Sequence, residues 1–163
     1  MLACRSQENS ITAMPMPVRL VALALLAGLV SSSPSFAQTI AATAAKWGLL
    51  GVWKLDCGAP ISRSNAALKY VVRDGKLFHD RDFGDASDSS QVASASAKPD
   101  GTLELTIPFA SISQTRQFAF IKGADGRVRA LYNKNVDTGE YTIKDGKFTA
   151  NGNVTPWQTR CQK

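Results

Sequence analysis

At 163 residues with 44% apolar side chains, the chain is the size of one domain and has enough hydrophobic material for one core. Its formal net charge is +6, but the Lys and Arg residues are interspersed, and no basic run of the kind that tracks a phosphate backbone is present. Three cysteines, none in a Cys-x-x-Cys pair, and a single His exclude the usual zinc-ligand spacings.

The first element in chain order is apolar. Val18–Ala37 reads VRLVALALLAGLVSSSPSFA: Arg19 is a positive flank, Leu20–Val30 is an apolar run, and Ser35-Phe36-Ala37 places small residues where a signal peptidase reads. Residues 1–37 are expected to be a secretory signal, cut between Ala37 and Gln38. The alternative is a short membrane anchor, but the run is short for a stable span. Met14 and Met16 each open a better signal, so the residues before Met14 look like an over-extended start. Export to the periplasm or to the outside, with no stable membrane insertion, is the expected location. Cys4 is lost with the signal, leaving Cys57 and Cys161, whose simplest fate in an exported chain is one disulfide. From Gln38 onward there are 17 Lys and Arg against 12 Asp and Glu, a balance that favours anionic partners in general.

Residues 38–50 are Ala-rich and are expected to form either a short helix or a flexible arm. Residues 51–163 switch to a period of two. Asp-Gly pairs at 74–75, 100–101, 125–126 and 145–146 punctuate that stretch, and each suits a tight turn because Gly takes positive φ without steric cost. Successive hairpins of this kind predict an all-β fold: an antiparallel up-and-down meander of eight to ten strands, closed into a small barrel so that no edge is left open. A two-sheet sandwich is the alternative architecture. Gly84–Ala97, GDASDSSQVASASA, is polar and small-sided, and is expected to be a loop at the barrel mouth.

Alternation sorts the side chains. A two-residue turn at Asp74-Gly75 pairs Tyr70 with His79 and Lys69 with Asp80, and turns Tyr70, His79 and Arg81 inward. Arg116 shares a face with Phe118 and Phe120, and a four-residue Gly123–Gly126 loop would place Arg129 on that face as well. An inward cluster of Tyr70, His79, Arg81, Arg116 and Arg129 has few acids to match it. A buried Arg needs a compensating partner, so the cluster invites a carboxylate or phosphate from outside, such as that of a fatty acid or another amphiphile. The alternative is that these long side chains reach solvent at the rim. The stretch HDRDFGDASD holds one His and four Asp, but Asp80, Asp82, Asp85 and Asp88 do not follow the EF-hand spacing, and a solvated acidic loop is expected, without a metal. No Gly-rich phosphate loop, cofactor motif or nucleophile motif stands in the chain, so neither a cofactor nor an enzymatic activity is expected.

Gly51-Val52-Trp53, GVW, resembles the first strand of the lipocalin and calycin barrels. That resemblance implies that Trp53 closes one end of a barrel and that Arg160, from the last strand, packs across its ring. The chain is also similar to small exported bacterial β-barrel proteins. A third resemblance is to secreted metalloprotease inhibitors, which implies that Gln38–Lys46 is an arm that enters a protease cleft. The expected function is therefore a non-enzymatic exported barrel that binds a small anionic, apolar or amphipathic ligand. The alternative is a module that binds an envelope or secreted protein, such as an inhibitor of a secreted hydrolase.

Overall fold

The computed structural model describes residues 39–161. The expected signal and its cleavage between Ala37 and Gln38 lie outside them. Among the described residues no helix is long and apolar enough to cross a membrane.

One helix precedes the strands. Thr39 caps it by accepting the amide of Ala42 on its hydroxyl at 3.1 Å, and Gly48 ends it in a left-handed conformation, so α1 runs Ile40–Trp47. It is docked rather than projecting. Ala44 and the following Leu49 are fully buried, and the helix packs against the strands Lys76–Asp82 and Ser94–Ala97. The alternative of a flexible arm at 38–50 is thus not what the described part of that stretch adopts.

Eleven strands follow among the described residues, against the eight to ten expected. They form two antiparallel sheets, not one closed ladder. The first sheet has the order β11-β1-β2-β3-β4, from Thr159–Cys161, Gly51–Lys54, Ala67–Arg73, Lys76–Asp82 and Ser87–Gln91. The second has the order β10-β9-β8-β7-β6-β5, from Lys147–Phe148, Tyr141–Lys144, Val128–Asn135, Gln114–Lys122, Leu103–Phe109 and Ser94–Ala97.

The physical reason for two sheets lies at the corners. Val92 still donates its amide to Leu77 of the first sheet, at 2.9 Å, while Ala93 already donates to Thr106 of the second, at 2.8 Å. The chain changes sheets within one residue. At the other corner Gln158 exchanges both backbone hydrogen bonds with Val128, at 2.8 and 3.0 Å, and the next residue joins β1. Beyond that single bridge β8 pairs with β9 instead, so the ladder does not close. Gly84–Ala97 is correspondingly not a loop. Ser87–Gln91 and Ser94–Ala97, rich in Ser and Ala, form β4 and β5, the two arms of the first corner.

The core lies between the sheets. β6 alternates strictly: Leu103, Leu105, Ile107 and Phe109 are buried, while Glu104, Thr106 and Pro108 face away. Tyr70 meets Phe120 edge-on at 6.2 Å between centroids, and His79 meets Phe109 at 6.0 Å, so aromatic contacts cross from one sheet to the other. Cys57 and Cys161 form the expected disulfide, with Cα atoms 5.4 Å apart, and it ties β11 to the segment that follows β1.

Candidate functional site

The β2–β3 hairpin sets the first group of candidate residues. Asp74 and Gly75 both have positive φ, 49° and 72°, as a type I′ turn requires. The pairs Arg73↔Lys76, Tyr70↔His79 and Lys69↔Asp80 follow from it, as expected. Tyr70 and His79 are both buried, with rings stacked at 4.5 Å. Burial pushes the Tyr70 hydroxyl well above its ordinary pKa, opposed by the Arg81 charge. Burial, aided by Arg81, pulls His79 down to about 3, so its imidazole is neutral at pH 7. Nδ1 of His79 has no hydrogen-bond partner among the described residues.

The inward arginines already have partners. Arg81 forms a two-pronged ion pair with Asp88, its Nε donating to Oδ1 at 2.8 Å, and its guanidinium lies 4.1 Å from the Phe109 ring centroid. The hydrogen bond from Arg81 is the main reason the Asp88 carboxyl is held below the usual range, with Ser111 assisting. Arg116 is 8% exposed and donates to Asn133 Oδ1 at 2.8 Å, Thr142 Oγ1 at 2.7 Å and Gln114 Oε1 at 3.1 Å. Burial lowers its pKa and Glu140 opposes that shift.

Arg129 is on the other face. Gly123 pairs with Arg127 through a 2.8 Å hydrogen bond, so the turn has three residues, not the expected four. Ile121 then lies opposite Arg129, and Phe120 opposite Ala130. A register shift between Ala119 and Phe120 accommodates the extra residue in β8. The Arg129 guanidinium stacks 4.8 Å from Trp157, with its Nε buried and without a hydrogen-bond partner among the described residues. The Asp residues of HDRDFGDASD are likewise engaged: Asp80 with Arg73, Asp88 with Arg81, Asp85 with Arg63, and Asp82 accepting the amide of Gly84.

The barrel-closure pair is only partly as expected. Trp53 is buried and stands directly opposite Arg160 in the β1–β11 register. Trp53 donates its indole N–H to the Leu49 carbonyl at 2.6 Å. Arg160, however, is exposed and lies across Gly51, and its guanidinium is not among the cation–π contacts of the described residues.

What the sequence reading missed is an open cleft of about 890 Å³ beside the second corner. β1, β11, the end of β2 and the β7–β8 turn surround it. Four cations line it: Lys69, Lys122, Arg127 and Arg160. Asp125 is its single carboxylate, and Arg127 holds it through a 2.7 Å ion pair, which keeps the Asp125 carboxyl below the usual range. Lys69, Lys122 and Arg160 have no carboxylate within ion-pair distance among the described residues. Leu50, Val52, Val71 and Val72 supply apolar walls, with Val72 40% exposed. A smaller cleft of about 540 Å³ runs along β2–β4, and its arginines pair with its own aspartates. The signal for the basic cleft was present in the sequence only as isolated Lys and Arg residues at the ends of strands.

No known protein family, curated protein or solved structure matches the chain.

Proposed function

We propose that the chain is an exported, non-enzymatic β-protein that binds a small anionic, amphipathic ligand, and that the ligand sits in the open basic cleft rather than between the sheets. The observation that carries this reading is the imbalance in the cleft: Lys69, Lys122, Arg127 and Arg160 against Asp125 alone, with aliphatic walls beside them. Unpaired cations on low-dielectric walls concentrate anions, and the aliphatic side chains give an acyl or similar group a surface to cover. The interior supports the reading from the other side, because Arg81 and Arg116 already have protein partners for their donors. The disulfide fits an oxidising compartment, in keeping with periplasmic or secreted location. The lipocalin-like reading of the fold as an opened barrel rests on Gly51-x-Trp53 and on the two single-residue corners.

The docking of α1 against the strands weighs against the protease-inhibitor reading, which needs a projecting arm. The test is calorimetric titration of the disulfide-bonded protein with laurate and with lauryl phosphate. Binding that weakens with added salt, and by about fivefold for each of Lys69→Ala and Arg160→Ala, is expected, since each exposed charge contact is worth about 1 kcal/mol. Binding that ignores both substitutions would move the site back to the interior. No binding of either probe would remove the reading.

A further inference from the structure

We infer that the cleft is a two-point clamp for a molecule bearing an anionic group at each end of a short apolar connector. This rests on the proposed anion-binding role and adds the shape of the ligand. Gly48, Leu50 and Gly51 line the cleft, and each of the two glycines seats one cation against the bare backbone. A Cβ at Gly51 would stand 2.7 Å from Arg160 Nε, and one at Gly48 would stand 3.0 Å from Lys122 Nζ. Both glycines have positive φ, 132° and 88°, so a side chain there is disfavoured on backbone grounds as well.

The two cations come from different sheets, Arg160 from β11 and Lys122 from the end of β7. Lys122 is held in place. It donates to the Trp47 carbonyl at the C-terminal end of α1, and its Nζ lies 4.4 Å from the Trp47 ring centroid. An ammonium has three donors, so others stay available for a ligand. The Arg160 guanidinium makes no hydrogen bond or ion pair with any described residue and presents its donors to the cleft. Leu50 lies between the glycines and lines the same cleft with Val52. Three residues of chain hold the Cα atoms of the two glycines within about 10 Å of each other, so the two cations stand at the ends of one short strip. The arrangement is cation, aliphatic strip, cation, and its complement is a short α,ω-dianion.

The experiment is calorimetric titration of the disulfide-bonded chain with α,ω-dicarboxylates from succinate to dodecanedioate, beside the monocarboxylates of equal length and inorganic phosphate. The clamp predicts that one of the shorter dicarboxylates binds at least about tenfold more tightly than its monocarboxylate. Lys122→Met and Arg160→Met should each abolish that preference, and the double variant should abolish no more. Equal binding of mono- and dicarboxylates, or phosphate binding as tightly as the best dicarboxylate, overturns the clamp and leaves the anion-binding role standing. No binding by any of these probes overturns both. If Lys122→Met lowers the thermal midpoint, Lys122→Gln keeps a donor for the Trp47 carbonyl and reads the same charge.

Discussion

His79 shows how much one buried side chain can ask of its surroundings. It stacks on Tyr70, meets Phe109 edge-on, and sits within the fields of Arg81, Asp88 and Asp80. Its folded pKa of about 3 is below the unfolded value of 6.5, so between those values the unfolded chain binds a proton that the folded one refuses. Stability therefore rises with pH across this window and falls on acidification, by up to about 1.4 kcal/mol per pH unit. Asp88, also depressed, adds its own loss only as the pH drops below its ordinary value, so the range from 6.5 to 4.5 isolates His79. Denaturant unfolding should show the protein losing about 2–3 kcal/mol over that range. His79→Phe, which keeps the ring in the aromatic stack, should flatten the slope at a cost of less than about 1.5 kcal/mol at pH 8. A flat profile for the unmodified chain would refute the argument. Arg116 is the second case. Its three acceptors, Asn133, Thr142 and Gln114, would lose their donor in Arg116→Met. That substitution should destabilise the fold by about 1–3 kcal/mol in the same assay, while leaving anion binding unchanged.

At the scale of elements, turn chemistry decided what could be read ahead of the structure. The Asp74-Gly75 turn has one geometry compatible with strand twist, so the whole β2–β3 register and the inward placement of Tyr70, His79 and Arg81 followed from two residues. The 123–127 turn was not so constrained. Three- and four-residue loops both fit GADGR, and Asp125 settles the matter by accepting the Arg127 amide at 3.0 Å, with Gly126 at φ 79°. One residue of difference reverses the faces from the turn up to the register shift between Ala119 and Phe120, and so Arg129 stands outside. The strands β4 and β5 were hidden for another reason. Strand propensity favours branched and aromatic side chains, whereas Ser and Ala predominate in these two strands, so the period-two pattern that marks a strand is missing from them. The type I′ turn yields a direct test. Nothing lies within 4 Å of a Cβ built on Gly75, so the cost of Gly75→Ala is purely that of the backbone. It should be about 1–2 kcal/mol, and Gly75→Asn should recover part of it, because Asn tolerates the left-handed region. Equal losses for the two, measured by urea unfolding, would show that the turn is not the determinant.

At the scale of the molecule, the two corners are unequal. The first is a continuous stretch of chain, Ser87–Ala97, held by β3 on one arm and β6 on the other. The second is held by a three-residue strand, one Val128–Gln158 bridge and the disulfide. The sequence made the disulfide legible by elimination and left the cleft beside it illegible, because its cations come from separate strand ends that only the corner brings together. That arrangement couples stability to binding. A covalent loop with a sequence separation of 104 contributes about 4–5 kcal/mol through the unfolded chain. Cys161→Ala should remove about that much, and it should do something more local as well. With the staple gone, the amides of Thr159–Cys161 are secured only by β1, a short edge pairing that opens readily. Hydrogen exchange in β11 should therefore accelerate well beyond that in β6, whose strand is paired on both sides. Because Arg160 rides on β11 and Cys161 itself lines the cleft, anion affinity should fall in step with β11 protection at a pH and temperature where β6 stays fully protected. If β11 and β6 instead lose protection together, the second corner is not a separate unit, and the disulfide acts on the whole fold alone.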